Sequence, residues 1–230
     1  PRTTILLDGN KLLVTGGLTK DSIAAAVARL AQEQGAELVL TSFGRGMRLT
    51  ERVARTLPVT PDVVELDVTD PAQHDALAED LRNRWGTVDG ALHAVGFAPE
   101  ACLGQDDGLL SAGWDDVATA LHVSTYSLKS LAQTVLPLMP HGGSIVGLDF
   151  DAAQAWPAYD WMGVAKAALE ATTRYLARDL GPRGIRVNLV AAGPLRTLAA
   201  RSIPHFSAME GACGTRAPLG WDVRDPEPVA

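Results

Sequence analysis

Short apolar stretches without polar alternation recur along the chain, each followed by a segment whose apolar residues return every three or four positions. Residues 11–15 (K-L-L-V-T) read as a buried strand running into a Gly16-Gly17 turn. A helix opens at Asp21-Ser22, carries Ile23, Val27, Leu30 and Ala31 at helical spacing, and ends at Gly35. Residues 37–41 (E-L-V-L-T) predict a second strand, 45–57 a helix, and 63–66 a third strand closed by Asp67. Asp70-Pro71 supplies a capping carboxylate and a first-turn proline for a helix reaching Trp85. A fourth strand at 89–95 is followed by a loop rich in Gly and Asp and a long helix over about 114–138. A fifth strand at 144–148 leads into a helix carrying Tyr159 and Lys166, and 184–190 is a sixth strand.

Apolar, unalternating strands separated by helices are the mark of a parallel sheet covered on both faces. The expected fold is therefore α/β, a three-layer doubly wound (Rossmann) parallel sheet, and without an internal repeat or linker residues 1–230 read as a single domain. After Gly193 the periodicity fails. Pro204, Pro218, Pro226 and Pro228 interrupt the remainder, and Gly211 and Gly214 predict a segment that does not sustain a helix.

Composition narrows the function classes. The 230 residues are 47% hydrophobic and 20% charged, which suits one well-filled globular domain rather than a disordered chain. A net charge of -7 repels nucleic acid and anionic membrane surfaces. No apolar run has the length of a membrane span and no signal pattern opens the chain, so a cytoplasmic location is expected. Cys102 and Cys213 stand far apart, which argues against a disulfide framework, and the histidines lack metal-ligand spacing, so no metal site is expected.

The chemistry concentrates at the carboxyl ends of the strands. The Gly16 turn is where a doubly wound fold holds phosphate, although no G-x-G-x-x-G follows. Ser22 and Ile23 at the helix start instead offer a hydroxyl and backbone N–H groups. The second strand ends in Thr41-Ser42-Phe43-Gly44-Arg45 with no acid for a ribose, while Arg45 suits a 2′-phosphate and Phe43 an adenine face, so NAD and NADP stay open. Asp67 and Val68 after strand three, and Val95 and Gly96 after strand four, share that edge of the sheet. Each alone is more often a helix cap or loop residue; their common position argues for a dinucleotide. Tyr159 and Lys166, two helical turns apart, project a phenol and an ammonium from one face, a pair suited to hydride-transfer chemistry.

Together these blocks resemble the short-chain dehydrogenase/reductase superfamily, and within it the enoyl-[acyl-carrier-protein] reductases of the long-chain actinobacterial type. The resemblance rests on T-G-G-x-x-x-x-S-I-A at 15–24, A-Q-E-Q-G-A-E-L-V-L-T-S-F at 31–43, L-D-V at 66–68 and H-A-V-G-F at 93–97. It continues in G-G-S-I-V-G-L-D-F-D at 142–151, P-A-Y-D-W-M-G-V-A-K at 157–166 and N-L-V-A-A-G-P-L-R-T-L at 188–198. Ordinary superfamily members carry Y-x-x-x-K and a serine on the preceding strand. Here Met162 stands four before Lys166 and the strand ends in Asp149-Phe150, a departure that matches the enoyl reductases.

The resemblance implies NADH-dependent reduction of the trans-2 double bond of an enoyl thioester, carried by acyl carrier protein or coenzyme A, in fatty-acid elongation. It assigns catalysis to Tyr159, Lys166 and Phe150. It assigns the dinucleotide to Gly16, Ser22, Ile23, Phe43, Asp67, Val68, Val95, Gly96, Lys166, Leu195 and Thr197. The substrate would meet Tyr159, Trp156, Met162 and Phe97. It also implies a homo-oligomer, a tetramer, to which helices 114–138 and 158–180 contribute apolar residues on more than one face. Against the family pattern, Ala94 replaces a common serine, the substrate-loop segment at about 197–217 is short, and the chain stops before the last helix and strand. The alternatives are a short-chain carbonyl reductase or dehydrogenase, and a non-catalytic nucleotide-binding relative.

Overall fold

The computed structural model describes residues 5–16, 19–104, 106–204 and 206–230; Gly17 of the first turn lies outside them. Six strands form one parallel sheet: β1 (Lys11–Thr15), β2 (Glu37–Ser42), β3 (Asp62–Glu65), β4 (Gly90–His93), β5 (Gly143–Asp149) and β6 (Ile185–Ala191), in the order β3-β2-β1-β4-β5-β6. The order reverses between β1 and β4, and a doubly wound sheet opens its ligand crevice at the carboxyl ends beside that reversal.

Strand residues alternate between two apolar layers because successive side chains leave opposite faces of a sheet. Leu13, Val39, Ala91, Ile145 and Val187 pack with α3 (Pro71–Trp85), α5 (Ser127–Val135) and α6 (Asp160–Leu180). Val14, Leu38, Leu40 and Leu92 pack with α1 (Ile23–Glu33) and α2 (Met47–Ala54). The small alanines of α1 (Ala24, Ala28, Ala31) let it lie close to the strands. These are the three layers that the strand pattern predicts.

Two local readings change. The helix expected over 114–138 is three pieces: α4 (Trp114–Leu121), a π-helical turn His122–Tyr126, and α5, followed by a 3₁₀ turn Leu136–Leu138. A π turn carries one residue too many for the α pattern, which hydrophobic periodicity does not register. The region after Gly193 is also more ordered than its composition predicts, since α7 (Phe206–Arg216) runs through Gly211 and Gly214. Tertiary contacts override the weak helix propensity of glycine here. Met209 is buried in an apolar cluster with Phe206 and Ile203 at its edge, and Arg196 grips Glu210 through two bonds of 2.6 and 2.9 Å. The final segment folds back over the loop after β6. The Trp221 indole donates to the Pro194 carbonyl at 2.8 Å, and the Arg196 N–H to the Val223 carbonyl at 2.7 Å. Glu227 pairs with Arg29 of α1.

Candidate active site

At the reversal of strand order, β1 and β4 are fastened end to end. The Thr15 hydroxyl donates to the Leu92 carbonyl at 2.8 Å and accepts the Ala94 N–H at 3.0 Å. Gly16 follows with φ +82°, and a Cβ there would lie 2.0 Å from the Ala94 carbonyl oxygen. Only glycine permits this approach, which packs the turn after β1 against the backbone after β4 at the edge expected for phosphate. Ser22 caps α1 by accepting the Ala25 N–H at 3.1 Å while its hydroxyl donates to the Thr19 carbonyl at 2.7 Å. What α1 offers an anion is therefore its remaining first-turn N–H groups and its dipole, with Ser22 as the organising cap.

The other proposed dinucleotide positions fall along the same rim. Phe43 stands 55% exposed just beyond β2, free to cover a flat ring. Asp67 accepts from the Thr69 N–H and hydroxyl at 2.9 and 2.7 Å, and Val68 is buried in the main core. Both thus shape the turn, and the Val68 carbonyl is taken by the His74 ring at 3.1 Å. Leu195 is buried, and the Thr197 hydroxyl accepts the Ala200 N–H at 3.2 Å.

Around the end of β5 four polar groups sit in an apolar setting. Lys166, 8% exposed, donates to the Leu148 carbonyl at 2.8 Å. An ammonium has three donors, so two remain for vicinal hydroxyls. Burial draws its pKa down, opposed by the charge of Asp149. Asp149, 6% exposed, has its pKa pushed up to about 6, chiefly by burial, with Lys166 and the Phe150 N–H pulling it down and Glu170 pushing it up. Its Oδ1 is buried without a hydrogen-bond partner. His93 at the end of β4 is held neutral, its pKa pushed down to about 3 by burial and then by Lys166. The Ser127 hydroxyl donates to the Val123 carbonyl at 2.6 Å and so accepts the Nε2–H of His93 at 2.7 Å, leaving Nδ1 buried and unpaired.

Tyr159 is placed differently from the expectation. It precedes α6 as its cap residue rather than lying in the helix, and its neighbours Ala158 and Asp160 have φ of 60° and 36°. Two consecutive-but-one left-handed residues cost about 1 kcal/mol or more each, strain of the kind that accumulates at working sites. The Asp160 carboxylate holds the turn by accepting the Gly104 N–H at 2.8 Å. The outcome is a buried phenol, 6% exposed, whose ring meets Phe150 edge-on at 5.3 Å between centroids. Burial, then the Asp149 charge, raises its pKa, so the hydroxyl stays protonated and able to donate.

Phe150 also leans on Trp156 at 5.2 Å, and the Trp156 indole donates to the Asp151 carbonyl at 3.0 Å. Trp156, Met162, Ile203, Phe206 and Met209 join Tyr159 in one apolar cluster, whereas Leu198 stands 45% exposed. Phe97 lies on the loop after β4, its backbone bound to Ser124. The site thus assembles Tyr159, Lys166, Phe150, Trp156 and Met162. Phe43, Asp67 and Val68 stand apart at the ends of β2 and β3, at the far side of the rim. Sequence reasoning missed His93, Ser124 and Thr125, and gave Asp149 no role. The available signal was a carboxylate ending an otherwise apolar strand, beside a histidine ending another.

Known proteins resemble this chain over nearly its whole length. Residues 16–230 match the family described as enoyl-(acyl carrier protein) reductase. An enoyl-[acyl-carrier-protein] reductase [NADH] of Mycolicibacterium smegmatis is 45% identical, covering 99% of this chain and 88% of the relative. The protein of the same name from Mycobacterium avium is 43% identical over 98% of this chain and 88% of its own length. One from Rickettsia conorii is 41% identical over 94% and 83%.

Proposed function

The chain belongs to the enoyl-(acyl carrier protein) reductase family, and on that premise we propose that it reduces the trans-2 double bond of an enoyl thioester with NADH. The observation that carries this reading is the buried Tyr159 phenol, set edge-on to Phe150 beside a Lys166 that keeps two donors free. When bound, NADH would supply the hydride that the β-carbon accepts. Negative charge then develops on the thioester oxygen, away from the carbon reduced. The Tyr159 hydroxyl, kept protonated by burial, donates to that oxygen and stabilises the enolate, which becomes the saturated thioester on taking a proton from water at its α-carbon. The Lys166 ammonium, already pinned to the Leu148 carbonyl, would hold the cofactor's ribose hydroxyls with its other donors. Phe150 and Trp156 exclude water from the reacting double bond.

The residues present fit a dinucleotide: the Gly16 turn lies tightly against Ala94 at the carboxyl edge of the sheet, and α1 begins at the same edge with Ser22 as its cap. NADH rather than NADPH follows from Glu65, whose carboxylate accepts the Gly44 N–H at 3.3 Å beside Arg45. A 2′-phosphate there meets that negative charge as well as the arginine.

A two-fold assembly belongs to the same reading. The outer faces of α4, the π turn, α5 and α6 leave a groove of about 560 Å³ lined by Leu121, His122, Thr125, Tyr126, Lys129 and Thr172. Tyr175 and Val164 on α6 are exposed as well. A second copy is the occupant that suits this surface, giving a homo-oligomer and, with a second interface, a tetramer.

The test is NADH consumption, followed by absorbance, with a trans-2-enoyl thioester, alongside a ketone and a nucleotide-binding titration. Turnover of the thioester supports the reading. Turnover of the ketone alone supports a carbonyl reductase, and binding without turnover a nucleotide-binding relative.

A further inference from the structure

The π-helical turn His122–Tyr126 breaks an otherwise continuous helix, and nothing in H-V-S-T-Y forces it, since neither glycine nor proline is present. A π turn has poorer backbone geometry than an α turn and persists where surrounding contacts hold it. Here two adjacent buried hydroxyls supply those contacts, and they reach in different directions. The Ser124 hydroxyl donates to the Phe97 carbonyl at 2.8 Å and accepts the Phe97 N–H at 3.0 Å. One side chain thereby closes both backbone groups of a residue in a loop that has no strand to pair with. The Thr125 hydroxyl donates to the Ala165 carbonyl of α6 at 2.7 Å, one residue before Lys166.

The two anchored points belong to opposite walls of the site. Val95, Gly96 and Phe97 form the wall after β4, and a Cβ on Gly96 would already approach the Ser124 oxygen at 3.9 Å. Lys166 forms the wall after β5. We propose that Ser124 and Thr125 are positioning residues, a two-ended clamp in which the π turn fixes the spacing between the Phe97 loop and Lys166. Neither hydroxyl has a proton to spare for chemistry, because each is spent on a backbone carbonyl. Their effect runs through Phe97 for the acyl substrate and through Lys166 for the cofactor. The inference rests on the enoyl-reductase reading for its substrate arm only.

The test uses the full chain with Ser124→Ala, Thr125→Val, which keeps the shape of the side chain, and Thr125→Ser, which keeps the hydroxyl. Dissociation constants for NADH come from fluorescence titration, and KM and kcat from a trans-2-enoyl thioester. Losing one buried hydrogen bond that orients a binding group should weaken the affected affinity about tenfold. Ser124→Ala is expected to raise KM for the thioester by a clearly larger factor than it weakens NADH, which meets the same wall only at Val95 and Gly96. Thr125→Val should weaken NADH about tenfold, and Thr125→Ser should restore it. A clamp is refuted if both losses change NADH affinity and KM by equal factors, if they only lower the melting temperature, or if Thr125→Ser behaves like Thr125→Val. Should Ser124→Ala not fold, the Thr125 pair decides alone. Should the wild type turn over no enoyl thioester, the proposed function fails while the NADH arm still reads the clamp.

Discussion

Replacing Asp149 by asparagine should make the protein more stable and the enzyme worse, and the balance should depend on pH. Asp149 ends β5 almost fully buried, with Oδ1 unpaired and its pKa raised to about 6 from an ordinary 3.8. A group whose folded pKa lies above its unfolded one contributes most below the unfolded value, and that contribution is lost as pH rises through the folded value. In the wild type, the raised pKa of Asp149 therefore costs the folded state about 1 kcal/mol at pH 4.5, where only the unfolded chain ionises, and about 3 kcal/mol at pH 8, from roughly two pKa units at 1.36 kcal/mol each. Asparagine does not titrate, so the difference in stability between variant and wild type should grow by about 2 kcal/mol from pH 4.5 to pH 8. The carboxylate's work is electrostatic: it opposes the downward pull of burial on the Lys166 ammonium. Without it Lys166 loses charge more readily, and NADH should bind several-fold more weakly at pH 8. Urea unfolding at the two pH values, beside NADH titrations, measures both effects. A stability difference that is flat with pH, or that falls towards pH 8, would refute the assignment of a buried, penalised carboxylate.

Further outcomes are expected. Tyr159→Phe should lower kcat by about 10²-fold or more with NADH affinity unchanged, and steady-state kinetics showing wild-type turnover remove the phenol from the mechanism. NADH should be preferred to NADPH by about tenfold or more in kcat/KM, and Glu65→Gln should narrow that gap; equal use of both cofactors by the wild type contradicts the role given to Glu65 beside Arg45. kcat/KM should rise from four-carbon to twelve-carbon enoyl thioesters, since each methylene buried against Trp156, Met162 and Phe206 contributes about 0.8 kcal/mol. A flat series means that the α7 cluster is not the acyl slot.

What the sequence determined alone follows from period and from punctuation. Uninterrupted apolar strands alternating with amphipathic helices can bury themselves only as a covered parallel sheet, so the fold, its six strands and the crevice edge were legible. Gly16 was legible as a turn, whereas the helix face expected to carry both Tyr159 and Lys166 was not there to be read, because Tyr159 stands before α6. Tertiary structure decided whatever depends on contacts between distant segments. Gly16 is obligatory because of Ala94, 78 positions away by the difference of their numbers, and no local pattern carries that. Tyr159 left the helix for a strained turn because Gly104 holds Asp160. α7 formed across two glycines because Met209 found a buried site and Glu210 an arginine. The π turn arose because Ser124 and Thr125 each had a carbonyl to reach on another element. Propensity and periodicity describe a segment against water, whereas these outcomes were fixed by close backbone approach, apolar burial and the pairing of polar groups, which arise only once the chain has packed.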